Sequence, residues 1–163
     1  MRIVVTLLML FIPTMLDAAG EKKVNPARKR SEVAGLVLEV CVPENSIAGA
    51  PIACTVTVTN TSKDNIIYVF TTWPRTFVME IKGPKGTVVP LTRYGKSVFE
   101  GEDFSFKERT LAPGQSILLQ YDLTRYFDLT LADDYSLSVV SRQNWINEKK
   151  ISVDALKFSV KEN

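Results

Sequence analysis

Between Leu111 and Val140 the chain reads LAPGQSILLQYDLTRYFDLTLADDYSLSVV, and a period of two runs through most of it. Ile117, Leu119, Tyr121 and Leu123 share one phase while Ser116, Gln120 and Asp122 share the other, and Tyr135, Leu137 and Val139 then alternate with Ser136 and Ser138. Side chains of a strand point by turns to its two faces, so this spacing describes two strands, each with one wet and one buried face. Pro113-Gly114 ahead of the first run is a turn dipeptide, one residue with fixed φ and one with permissive φ. Thr124 to Ala132 between the runs has room for one helical turn at most. Two strands meeting across so compact a polar crossing make a corner of a β-sandwich.

The same punctuation recurs along the rest of the chain. Gly35 to Val42 and Pro51 to Asn60 read as the first two strands, separated by a Pro- and Gly-rich loop, PENSIAGA. Ile66 to Thr72 is a third strand, apolar on both faces, which calls for a central position or an outer cover. Thr76 to Lys82 alternates Phe77, Met79 and Ile81 against Glu80 and Lys82, and Thr87 to Leu91 is a short edge strand marked by Pro90. The last strand, Ile151 to Lys161, changes phase between Val153 and Leu156, which requires a bulge near Asp154-Ala155. About 7 to 9 strands at spacings of about 8 to 12 residues make an antiparallel all-β sandwich over residues 34–163, with no amphipathic helix. Tyr135, opening a strand after a corner, is expected to tie the upstream backbone through its hydroxyl.

Ahead of that domain, Met1-Arg2, the apolar run Ile3 to Leu16 and the small residues Ala18-Ala19-Gly20 read as a secretory signal peptide over residues 1–20. The run stops short of the roughly 20 apolar residues of a spanning helix, so no stable transmembrane anchor is expected after processing. The chain is therefore read as exported, periplasmic or extracellular. Residues 21–33, with Lys22, Lys23, Arg28, Lys29 and Arg30, read as a flexible basic arm that stays solvated or touches an anionic envelope component. Cys41 and Cys54 are the only cysteines, and export makes a disulfide between them the natural inference. Cys54, however, lies in the core phase while Cys41 shares a phase with Glu39, so either a bulge realigns them or they remain free thiols.

The composition excludes more than it includes. The chain has no histidine, which removes Ser-His-Asp and Cys-His nucleophile activation and imidazole zinc sites. No glycine-rich phosphate loop, GxSxG elbow or CxxC pair occurs. No enzyme, cofactor or metal is therefore expected. The acidic groups Glu100, Glu102 and Asp103, and Asp128, Asp133 and Asp134, match no ordered calcium loop and read as rim carboxylates. A net charge of +2 without aromatic interleaving gives nucleic acid no footing. Trp73, Arg75, Phe77 and Trp145 are the candidate partner-binding residues, because tryptophan and arginine concentrate binding energy at interfaces. Asn60-Thr61-Ser62 fits the N-glycosylation pattern in a turn that would suit it.

GAPIACTVTVTNTS, the aromatic third strand, LAPGQSILLQYDL and DDYSLSVVSR resemble the Ig-like β-sandwich modules common in exported bacterial proteins. The pattern is similar to the bacterial intracellular proteinase inhibitor type in Asn60 and Pro113-Gly114. It also looks like the β-domain preceding the catalytic domain of deuterolysin-like metalloendopeptidases, in Leu111, Gly114, Asp122-Leu123 and Tyr135. The resemblance implies an Ig-like fold, and the chain departs from both types, in its export signal and in lacking a His-Glu-x-x-His segment. The expected function is an exported, non-enzymatic module that binds a protein or an envelope component. The alternatives are a proteinase inhibitor presenting Thr72 to Phe77 or Tyr94 to Phe106 as an extended loop, and a glycan-binding domain.

Overall fold

The computed structural model describes residues 26–71, 75–101, 106–142 and 150–163. They form an all-β sandwich of ten strands: β1 Pro26–Val33, β2 Leu36–Pro43, β3 Asn45–Ile47, β4 Ala53–Asn60, β5 Ile66–Thr71, β6 Phe77–Lys82, β7 Phe106–Leu111, β8 Ser116–Asp122, β9 Asp133–Ser141 and β10 Ser152–Lys161. Two short α-helices interrupt them, α1 Arg93–Phe99 and the single turn α2 Leu123–Tyr126, along with a 3-10 turn at Pro84–Gly86. One sheet has the order β1-β2-β4-β8, a second the order β3-β10-β9-β6, and β5 and β7 form a two-stranded ladder. All pairings are antiparallel except β3 with β10.

The alternation read from the sequence builds the core. Leu38, Val40, Cys54, Val56, Val58 and Tyr121 of the first sheet join Phe77, Ile81, Leu137, Val139 and Phe158 of the second in one buried cluster. The phase change in β10 is a bulge: the register with β9 shifts between Val153 and Leu156, Ala155 takes φ +52°, and its amide donates to Ser138 Oγ at 3.3 Å. Leu156, Phe158 and Val160 return to the core as a result. Tyr135 stacks on Phe158, with ring centres 5.6 Å apart, and its hydroxyl donates to the Leu131 carbonyl at 2.8 Å.

Several expectations are corrected. From Pro26 onward the basic segment is not a flexible arm but the edge strand β1, paired with β2 from Pro26↔Pro43 to Val33↔Leu36. The loop PENSIAGA holds β3, which crosses to the second sheet, so the strand count exceeds the sequence reading. Thr87 to Leu91 makes only isolated bridges, Lys82↔Val88 and Leu91↔Phe127, and the less regular stretch after it opens as α1. β5 is not central. It pairs with β7 alone; Ile66 and Tyr68 face the core and Ile67 is 63% exposed.

Cys41 and Cys54 are not bonded. The partner of Cys41 across the ladder is Thr55, one residue beyond Cys54, and neighbouring residues on a strand point to opposite faces. Cys54 is buried in the core and Cys41 lies half-buried on the outer face beside Glu39, at 3.8 Å from sulfur to carboxylate. No bulge realigns them.

Asn60 is fully buried, which overturns its reading as a glycosylation acceptor. Its Nδ2 donates to the carbonyls of Asp64 and Leu111, both at 2.8 Å, and its Oδ1 accepts from the amide and hydroxyl of Ser62 at 2.9 and 2.7 Å. The main chain adds an Asn60 amide bond to the Gln115 carbonyl and accepts from the Gly114 amide. One side chain thus joins the end of β4, the loop after it and the Pro113-Gly114 turn, with its amide capacity filled. A glycan on Nδ2 would break this junction.

Candidate functional site

Of the four candidate partner-binding residues, Trp73 and Trp145 lie outside the described residues. Phe77 begins β6 and is fully buried, so it is a core residue and offers a partner nothing. Arg75 stands in the turn before β6, and its guanidinium donates to the Ser97 carbonyl of α1 at 3.1 Å. Arg142, which the sequence reading passed over, lies beside it. Its Nε donates to the Arg75 carbonyl at 3.1 Å and its guanidinium reaches the Phe99 carbonyl at 3.5 Å. The last carbonyls of a helix have no partner within it and carry the negative end of its dipole, so two arginines complement the C-terminus of α1. Burial, and after it the Arg75 charge, lower the pKa of Arg142, which ties this pair to packing as well as to charge.

The other end of α1 is fixed as firmly. Thr92 caps it, accepting from the Gly95 amide at 2.9 Å, while its hydroxyl donates to the Arg125 carbonyl at 2.6 Å and its amide to that of Tyr126 at 2.9 Å. Gly95 lies against the Tyr126 carbonyl with no room for a β-carbon. Asp122 in turn caps α2: one carboxylate oxygen accepts from the Thr124 amide at 3.1 Å and from the Ile52 amide at 3.2 Å. Phe99 and Tyr94 sit on Tyr126 with ring centres 5.3 and 5.6 Å apart, and the Arg125 guanidinium lies 4.9 Å from the Tyr94 ring centre. Burial is the first cause that raises the Tyr126 hydroxyl pKa, and the nearby Tyr94 is the second.

This scaffold holds a groove beside β6, the terminal strand of its sheet. Val89 donates to the Ile81 carbonyl at 2.8 Å, so the chain after β6 folds back over its C-terminal half. Val78, Met79, Val88, Leu91, Phe99 and Phe127 line a cleft of about 330 Å3, with Arg142 at its wall. Val78 and Val88 are 38% and 54% exposed. An apolar groove against a sheet edge suits an extended peptide, whose main chain pairs with the strand while alternate side chains enter the groove.

Other regions offer less. A cleft of about 700 Å3 at the ends of β1, β2 and β3 is lined mainly by Pro26, Val42, Pro43, Ile47, Pro51 and Ala53, without convergent polar chemistry. The rim carboxylates are taken up locally: Asp128 accepts from the Thr130 hydroxyl, Asp133 from the Asp134 amide and Asp134 from the Ser159 hydroxyl. Among the described residues no three potential ligands gather for a metal, Glu102 and Asp103 lying outside them. Tyr94 to Phe99, expected as part of an extended inhibitory loop, is helical. No described helix is long and apolar enough to cross a membrane.

Of Arg142 and α1, only α1 left a trace in the sequence. Leu91, Gly95, Val98 and Phe99 fall at helical spacing behind the cap Thr92, a signal shorter than two full turns. Comparison with protein-family models and with curated proteins finds no match.

Proposed function

We propose that the chain is an exported, non-enzymatic Ig-like β-sandwich module that binds a protein partner of the cell envelope along the edge of β6. The observation that carries this reading is the apolar groove at that edge, with Val78 and Val88 open to solvent and α1 locked in place behind them. A groove held by a capped helix and two arginines is preformed, so binding costs little ordering of its walls. The export half of the proposal rests on Met1 to Gly20, which lie outside the described residues; sequencing of the secreted protein should begin at Glu21.

The test is affinity capture from envelope extracts with the wild-type protein, Val78→Asp combined with Val88→Asp, and Leu118→Asp. Leu118 is 60% exposed on β8 of the other sheet and serves as the control. The groove variant should lose the partner that wild type and Leu118→Asp both retain, by about tenfold or more, since each of its two aspartates would be buried against the partner's apolar surface. Equal capture by all three, or loss from Leu118→Asp alone, would remove the β6 edge as the binding surface.

A further inference from the structure

The hairpin of β1 and β2 turns on two residues, Ala34 and Gly35, both at positive φ, +48° and +79°. Such a turn favours Asn-Gly or Gly-Gly; alanine in the left-handed region crowds its β-carbon against the following carbonyl. The strand that this turn holds contributes little to the core. Ala27 and Val33 are half-buried, whereas Arg28, Lys29, Arg30 and Glu32 are exposed. What fastens β1 is its ladder to β2, the packing of Ala27 and Val33 on the core beside β10, and a latch at the turn, where the Gly35 carbonyl accepts from the Thr61 amide at 2.7 Å and the Thr61 hydroxyl at 3.0 Å.

We propose that β1 is exchangeable between two copies of this chain, with Ala34-Gly35 as the hinge. The register is symmetric about that link, so β1 of a second copy meets on β2 the same residue that the chain's own β1 meets, in every pair from Pro26↔Pro43 to Val33↔Leu36. Opening the hinge turns residues 26–43 into one continuous strand, which pairs antiparallel with its equivalent about a two-fold axis. No ladder pair is lost, Ala34 and Gly35 leave the left-handed region, and the Thr61 latch is released. β1 ends its sheet, so the exchange threads nothing through the sandwich. The partner that fits this surface is therefore a second copy of the same strand.

Cys41 provides the readout, because it lies opposite Arg28. Arg28→Cys puts a thiol within bridging range across the ladder, and mild oxidation joins the pair within one chain in the monomer and between chains in the exchanged dimer. Protein refolded over a roughly hundredfold range of concentration should show a dimer that grows by mass action and runs as a covalent dimer on a non-reducing gel. Ala34 is exposed, so its substitutions collide with nothing. Ala34→Val, whose β-branch resists the turn, should raise the dimerisation constant by about tenfold per hinge, and Ala34→Gly should lower it by a similar factor. A dimer whose Arg28→Cys link stays within one chain, or equal dimerisation by the two Ala34 variants, would overturn the exchange. So would a wild type and Ala34→Val that remain monomeric throughout.

Discussion

β1 and β6 both terminate a sheet, and they meet the problem of an open edge in opposite ways. On β1 Arg28 and Arg30 point outward while Lys29 falls on the same phase as Ala27 and Val33, opposite the buried Val40. A charge on the inward phase of an edge strand discourages another strand from adding outside it. β6 buries Phe77, Met79 and Ile81, exposes Val78, and carries its charges as the adjacent pair Glu80 and Lys82, 2.8 Å apart. Its edge is half covered by the segment around Val89 and flanked by α1. A strand guarded by charge is held mainly by its ladder and can leave, whereas a strand rooted in the core stays and offers an apolar border.

That contrast can be broken by mutation, most severely at the root of β6. Phe77→Ala should cost about 3–5 kcal/mol, the range for emptying a buried aromatic site, and Val33→Ala on β1 under about 1 kcal/mol. Urea denaturation of both variants checks this, and comparable losses would mean that β1 is as deeply anchored as β6. The next effect lies in α1. Gly95→Ala drives a β-carbon into the Tyr126 carbonyl and should destabilise by about 1–3 kcal/mol, with a changed near-ultraviolet circular dichroism from the Tyr94, Phe99 and Tyr126 rings.

Between the two edges, the central strand β4 should give a pH signature. Burial, and then the proximity of Cys41, push the Cys54 thiol from 9.0 up to about 12. The raised pKa means that the unfolded chain releases this proton first. The stabilisation is whole below pH 9 and declines as pH rises towards 12, by about 1.4 kcal/mol per pH unit. Burial also raises the hydroxyl of Tyr121, which faces Cys54 across the ladder from β8, so the comparison is best made between pH 8 and pH 10. Over that range Cys54→Val should flatten the decline, and an unchanged slope would assign it to other groups. The smallest expected effect is on β1 again. Arg28→Ala removes a pair with Glu39 at 3.7 Å that is largely exposed, and should change stability by less than about 0.5 kcal/mol, less still in high salt.

How far the sequence could be read depended on how local each cause was. The alternation in β4, β8 and β9 and the bulge in β10 were legible, because phase along one strand needs no knowledge of its neighbours. Pro26–Val33 was not. Four charged residues in a row of eight carry no burial signal, and only the ladder of β2 makes them a strand. β3 escaped for a related reason, since three residues have no period to show. Phe77 and Arg75 looked alike as aromatic and cationic binding candidates near a turn, yet one fills the core and the other reaches a helix end. That helix was itself under two turns long.

From the order of its residues alone this protein was bound to be an all-β sandwich with Cys54 on the core phase and Cys41 on the other, since hydrophobic period and turn residues act within a few positions of one another. Which strands became edges, that Asn60 would be a buried junction, and that Arg75 and Arg142 would converge on α1 were decided by the assembled fold. Those outcomes depend on hydrogen-bond partners far apart along the chain, 67 residues in the case of Arg142 and Arg75, and only close packing chooses among such distant partners.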